Sequence, residues 1–445
     1  MLNLLLDTLS TFDGVEYLIN ETKTQRLERY NIKKQPEMQR QIETTQLELE
    51  LSVVFEDGKY RGSYNVDIDP GTSADELKKI ITDGIYAAGF VRNEYFPLVE
   101  PSDYTPPTPQ SHDLLQTLEA LQAAFYANDS HTQGHLSYSE FFITRNDVRI
   151  INSRGVDVNY TTHKAYIETA VHWRDTPHAK EIEVSEIFRF GLDMENAAAW
   201  LKTRVAELFA SSKDKAIATG TPSVENIPVL LSGECLQSFF SYFCERAHVA
   251  NIYQQLSTYK IGDTVQGGAT DCHAAQSPSD NRCGDRITLT IDPLLTGSPS
   301  ALPYDRQGFP NQTHEIIKDG VLLKYWGDAR FAYYLGVEPT GNAQNFRVTG
   351  GTTDATELKE APHLHLVSFS DFHCDSVTGD FGSEIRLGYY FDGQKTTPIT
   401  GGSISGNMEK ITHTLRMTRE ELTLGTFRGP KAVQITGASI SGVNS

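Results

Sequence analysis

From Gln46 the chain alternates, with Leu47, Leu49, Leu51, Val53 and Phe55 on one side and mostly polar residues between them. After Asp57-Gly58 the alternation resumes through Tyr60, Gly62, Tyr64, Val66 and Ile68. A period of two on both sides of an Asp-Gly pair predicts a β-hairpin. Ser73, with Glu76 three positions on, forms a capping box that opens a helix. In that helix Leu77, Ile80, Ile81, Ile85 and Ala88 recur at helical spacing. Strands followed by a helix predict a small α+β lobe over residues 1–96.

The stretch from Phe96 to Gln110, FPLVEPSDYTPPTPQ, holds prolines that fix φ and remove donors, so residues 97–110 read as a linker. A helix is predicted from Ser111, with Leu114, Leu115, Leu118, Leu121 and Phe125 inward. Tyr138 to Trp173 is strand-rich: FFIT, VRII, VDVNY and AYIETAVHW are separated by Asn146-Asp147 and by a turn from Asn152 to Gly155. Met194 to Ala210 reads as a helix whose stripe of Ala197, Trp200, Leu201, Val205, Leu208 and Phe209 is packing. These elements make a central region at 111–225. Beyond it, Ile227 to Leu231 reads as a buried strand and Glu234 to Ala250 as a mostly apolar helix, and strands and glycines dominate from Ile287.

The segment Val367 to Asn407 carries turn signals at Thr378-Gly379-Asp380 and Phe391-Asp392-Gly393 and a glycine exit at Gly401-Gly402. It predicts an antiparallel meander. Residues 226–445 are therefore expected to form a larger, strand-rich C-terminal domain with a mixed or antiparallel sheet, in an α+β chain overall. The near-copies GGSISG at Gly401 and GASISG at Gly437 are the only internal repeat.

Composition narrows the classes. A formal net charge of -19 argues against a phosphate-tracking surface, because nucleic-acid binders concentrate Lys and Arg. The opening MLNLLLDTLSTFDG has no basic residue before its apolar run and an acid at Asp7, unlike a signal peptide. No apolar stretch approaches the ~20 residues of a membrane span. Five cysteines at irregular spacing do not form a secreted disulfide framework, so a reducing cytoplasm is expected.

The segment Pro303 to Val348 contains YDRQG, KDGVL, DARFA and PTGNA; TGDF, GYYFDGQ and GGSISGN follow, then GPKAVQITGASISG at the end. With Asn152-Ser153-Arg154-Gly155 upstream, this order resembles the TldD/PmbA family, also called modulator of DNA gyrase. Peptide-cleaving members are known for a helix bearing H-E-x-x-x-H. Its two imidazoles hold zinc with an open position, and the glutamate is available to activate water. The resemblance places that helix at Glu234 to Ala250, where this chain reads SFFSYFCERAH. Both histidines are absent. At the only His-Glu pair, His314-Glu315, the fourth residue on is Lys318.

In this respect the chain resembles the metal-free PmbA/TldE branch. That branch pairs with a TldD-like zinc metalloprotease subunit in a cytosolic peptidase of unstructured peptides. The resemblance implies no catalytic residue, metal or cofactor in this chain, and an extended peptide as ligand held along sheet edges. Asp375, Thr378, Gly379, Asp380, Gly401 and Gly402 are the candidate peptide-binding positions, with turn formation as the rival reading. Two other functions stay open: a homodimeric peptide-binding protein without catalysis, and a peptidase with a metal site rebuilt from His363, His365 and His373. Cys272, His273 and Cys283 lack an evident fourth ligand for a zinc clip. The serines at 403, 405, 439 and 441 do not match G-x-S-x-G, and no P-loop or Rossmann fingerprint is present.

Overall fold

The computed structural model describes residues 1–266 and 284–443. Its first half is one seven-stranded antiparallel sheet covered by helices. The strands are β1 (Val15–Ile32), β2 (Gln35–Phe55), β3 (Tyr60–Asp67), β4 (Asn93–Glu94), β5 (Gly134–Asn152), β6 (Asp157–Trp173) and β7 (Ile182–Gly191), in spatial order β4-β3-β2-β1-β5-β6-β7. The helices are α1 (Leu2–Leu9), α2 (Ala74–Ala88), α3 (Leu114–Tyr126) and α4 (Ala197–Ala216). The predicted hairpin is β2–β3, with Phe55 opposite Tyr60. The capping box on α2 is present: the Ser73 side chain accepts from the Glu76 amide, and the Glu76 carboxylate accepts from the Ser73 amide.

Strand β1 carries few apolar residues and no clear period, and the alternation rules pass over it. It is nevertheless the centre of the sheet, running antiparallel to β2 from Val15 opposite Val53 to Ile32 opposite Gln35. On its other side it pairs with β5 from Leu18 opposite Asn152 to Ile32 opposite Tyr138. Strands from both sides of the Pro-rich stretch thus lie in one sheet, and residues 97–110 connect two parts of it without helix or strand.

Two readings of this half need correction. Asn146-Asp147 is no turn, because β5 runs straight through it: the Asn146 side chain accepts from Thr24 across the ladder at 2.8 Å, and Asp147 accepts from Thr161 at 2.6 Å. Leu115 is exposed on α3, whose buried face is Leu118, Leu121 and Phe125.

One face of the sheet buries its apolar residues under the helices. Ile19, Leu47, Leu49 and Leu51 pack with α1 and α2, while Leu27, Phe141, Ile143 and Ile167 pack with α3 and α4. On the opposite face Leu18 and Ile150 meet Tyr304 from the second half.

The second half begins with β8 (Thr219–Gly220), β9 (Val229–Ser232), α5 (Cys235–Arg246) and α6 (Val249–Tyr253). It continues through β10 (Thr288–Ile291), β11 (His314–Lys318), β12 (Val321–Leu322), α7 (Ala329–Leu335), β13 (Phe346–Thr349), β14 (His363–Phe369) and β15 (His373–Cys374). The last elements are β16 (Asp380–Phe391), β17 (Thr396–Thr400), β18 (Ser403–Asn407), α8 (Met408–Ile411), β19 (Arg416–Met417), β20 (Glu421–Leu424), β21 (Phe427–Pro430), β22 (Ala432–Ile435) and β23 (Ser439–Ser441).

A six-stranded sheet runs β12-β11-β10-β13-β21-β20, and a ten-stranded one is built on β19-β22-β9-β14-β16-β17-β8. Most pairs are antiparallel, but β9–β14, β13–β21 and β8–β17 are parallel, so the predicted mixed sheet is observed. The core of this half joins Leu289, Val348 and Phe427 of one sheet to Val229, Leu364, Ile385 and Val433 of the other, with the aromatic residues of α5 in the same cluster.

A buried guanidinium fixes the start of the Pro-rich stretch. Arg61 on β3 is 1% exposed, donates to the Phe96 carbonyl at 3.0 Å and pairs with Glu16 at 2.8 Å. Arg154, half in solvent, takes the other oxygen of Glu16 at 2.7 Å. Replacing Arg61 by alanine is expected to cost about 3 kcal/mol, since it strips a buried partner. Arg154→Ala should cost about 1 kcal/mol or less. Denaturant midpoints of the two variants give the ranking, and equal losses would contradict it.

Candidate functional site

The candidate positions fall at two ends of one ladder. Strand β18 runs against β16 from Asp380 opposite Asn407 to Glu384 opposite Ser403. At the first end, residues 375–379 turn β15 into β16. The Asp375 carboxylate accepts from the amides of Val377 at 2.7 Å and Thr378 at 3.0 Å, and these amides hold it below the usual carboxylate range. Gly379 takes φ +78°, as the turn requires. The Asn407 side chain donates to the Thr378 carbonyl and to Asp380, and the Met408 amide donates to the Gly379 carbonyl at 2.7 Å.

At the other end, Gly401 and Gly402 lead from β17 into β18 with φ of +75° and +73°. A Cβ on Gly402 would lie 2.3 Å from the Ser441 carbonyl, so β23 lies against this exit. The structure therefore separates Asp375, Thr378, Gly379 and Asp380 from Gly401 and Gly402 by the length of the ladder, about 13 Å at the rise of a strand.

The first end adjoins α5. Tyr242 lies behind Gly379, its hydroxyl 3.6 Å from where a Cβ on that glycine would stand. Arg246, one turn further along α5 and 4% exposed, donates to that hydroxyl at 3.1 Å and to Thr258 at 2.9 Å, and pairs with Glu409 at 3.2 Å. Its guanidinium carbon is 4.7 Å from the centre of the Tyr259 ring. Burial raises both tyrosine hydroxyls above their ordinary value, with Arg246 pulling the other way. The tip of the β15–β16 turn, the last turn of α5 and the start of α8 thus share one polar corner. A lone arginine in an apolar helix gives no spacing signal, and neither does Tyr242 four residues before it.

Zinc does not fit α5. Phe239, Phe240, Tyr242 and Phe243 are buried, and Phe240 stacks on Phe427 with centroids 5.6 Å apart. The exposed Glu245 is the one carboxylate within α5, and no imidazole lies on that helix. His363 and His365 do share strand β14, but each has another partner. His363 Nδ1 is 2.8 Å from the Ala361 carbonyl, and His365 Nε2 is 2.8 Å from the Ser232 hydroxyl. Burial holds the His365 imidazole down at about 3, while His373 is exposed on β15. Among the described residues no group of three or more His, Cys, Asp or Glu is arranged to hold a metal. Cys272, His273 and Cys283 lie outside the described residues.

The YDRQG and PTGNA stretches meet at Asp305. Its carboxylate accepts from the amides of Gln307 at 2.8 Å and Phe309 at 3.0 Å, while the other oxygen is buried without a partner. Burial pushes this carboxyl up to about 6, against the pull of the neighbouring backbone amides. The folded state therefore keeps a proton that the unfolded chain, with its carboxyl near 3.9, has released. Asp305 adds stability below about pH 4, and that contribution is lost as pH rises through about 6. Asp305→Asn keeps the acceptor and removes the titration, so the variant should gain on the parent between pH 4 and pH 7. Melting curves that run parallel across that range would refute the assignment.

Residues 224–442 match the family model described as the PmbA/TldA metallopeptidase C-terminal domain. The metalloprotease PmbA of Escherichia coli O157:H7 is 27% identical over 132 residues, 28% of this chain, and the chain spans 29% of that relative's length. A zinc metalloprotease TldD homologue of Saccharolobus solfataricus is 24% identical over 270 residues, 55% of each chain. Among solved structures, a modulator of a DNA gyrase from Thermotoga maritima superposes with a TM-score of 0.76 over 100% of both chains at 16% identity. TldE of Thermococcus kodakarensis does so with 0.76 over 99% of this chain and 100% of its own, at 14% identity. This chain is thus similar to the TldD/PmbA family: its second half matches the family's C-terminal domain, and the whole chain shares the fold of these solved structures.

Proposed function

We propose that this protein is the metal-free member of a two-subunit peptidase of the TldD/TldE kind. It helps to close a chamber around a zinc-bearing partner and holds an extended peptide there. The observation that carries this reading is α5: where peptide-cleaving relatives place imidazoles, this helix puts phenylalanine and tyrosine into the core between two sheets. Water on such a helix has no Lewis acid to depress its pKa, so hydrolysis is supplied by another polypeptide.

The peptide is held through main-chain hydrogen bonds to strand edges, with the turns at Asp375, Thr378, Gly379 and Asp380 and at Gly401 and Gly402 marking the two ends of the β16–β18 ladder. The formal charge of -19 supports a protein partner over nucleic acid. Buried free thiols at Cys235, Cys244 and Cys374 support a reducing compartment such as the cytoplasm. Among the described residues no helix is long and apolar enough to cross a membrane.

Purified alone, the protein should leave an unstructured peptide intact. Mixed with an H-E-x-x-x-H relative from the same genome, it should co-elute and yield cleavage that a chelator abolishes. Chelator-sensitive cleavage by the isolated chain, or failure to associate with such a relative and self-association instead, would overturn this assignment.

A further inference from the structure

The two near-copies in the sequence, GGSISG and GASISG, lie side by side. Strand β23 pairs antiparallel with β18 through Ser403 opposite Ser441, Ile404 opposite Ile440 and Ser405 opposite Ser439. Ser-Ile-Ser faces Ser-Ile-Ser, with the two isoleucines in register.

The two strands are held unequally. β18 is fixed on its inner side by β16, and Ile404 is 1% exposed in the core. β23 has three paired residues, exposed serines on either side of a partly buried Ile440, and no strand on its outer side among the described residues. It is reached from the core strand β22 through Gly437, whose φ of +89° is a conformation that glycine enters freely. Its far end rests on the Val443 amide, which donates to the Thr221 carbonyl at 2.9 Å, and on Gly442, whose Cβ would lie 2.5 Å from the Ser223 amide nitrogen. Gly402 makes the same close approach from the other side.

We propose that the outer edge of β18 is a peptide-accepting edge and that β23 is its displaceable resident. An incoming extended segment with an aliphatic residue between two small hydroxyl residues takes its place. The edge supplies main-chain donors and acceptors to any strand. The chain's own sequence names the side chains that suit it: the central residue points toward the core beside Ile404, and its neighbours point to solvent. While β23 is seated the edge is closed, so it acts as an intramolecular competitor. This inference rests on the peptide-holding reading only for the nature of the incoming chain, and its test needs no partner subunit.

The test uses the full chain with Ser403→Cys and Ser441→Cys, which face each other and close as a disulfide on oxidation. The probe is a fluorescent peptide of sequence Gly-Ala-Ser-Ile-Ser-Gly, read by anisotropy. The reduced protein should bind it at least tenfold more tightly than the oxidised one, and a peptide with proline in place of isoleucine should bind neither. Gly442→Ala, which forces a side chain against the Ser223 amide and so loosens β23 without altering the edge of β18, should bind the probe at least tenfold more tightly than the parent. Equal binding by the oxidised and reduced forms, or no binding by the reduced form and by Gly442→Ala, would overturn the proposal. A protein that binds the probe in this way yet never associates with a zinc-bearing relative would uphold the edge and refute the two-subunit reading.

Discussion

The constraint on which the first half depends is the double pairing of β1. Its main-chain groups face a neighbour on both sides along nearly the whole strand, from Leu18 to Ile32. An unpaired buried amide or carbonyl costs about as much as a lost hydrogen bond, so neither β2 nor β5 can leave without exposing a row of them. The helices follow from this pairing, because once the register is set Ile19, Leu47, Leu49 and Leu51 all point to one side and need cover. The Pro-rich stretch can be irregular because it carries none of this load.

In the second half the equivalent constraint is the packing around α5. A helix lodged between two sheets must be apolar on most of its circumference, and this one is. A zinc helix needs a cleft and polar neighbours that orient its imidazoles, and the two demands compete for the same positions. Here packing occupies them, and Arg246 carries the polar character of the helix to its very end, where it meets Tyr242, Thr258 and Glu409.

What was legible in the chain was local. The β2–β3 hairpin and the Ser73 box are encoded by residues within a few positions of one another, and both are found as read. β1 escaped because it is placed by its ladders to β2 and β5, with Thr24 bonding Asn146 far away in sequence, rather than by a period of its own. Asn146-Asp147 misled for a related reason: residues that favour turns in isolation here make cross-strand hydrogen bonds to Thr24 and Thr161. The candidate positions were visible as turns, since glycine at positive φ leaves a sequence trace. That Gly402 lies against Ser441 while Gly379 adjoins Tyr242 is tertiary, and no spacing rule holds that information.

The outer side of β2 has a last consequence. β3 pairs with β2 only from Glu48 to Phe55, so among the described residues 35–46 have no strand beyond them. Two molecules meeting along this bare rim would have to strip water from Glu37, Arg40 and Glu43, with Pro36 unable to donate. This edge of β2 can therefore stay uncovered without gluing one molecule to the next. Its polarity, which hides it from pattern reading, is also what disfavours edge-to-edge pairing between copies.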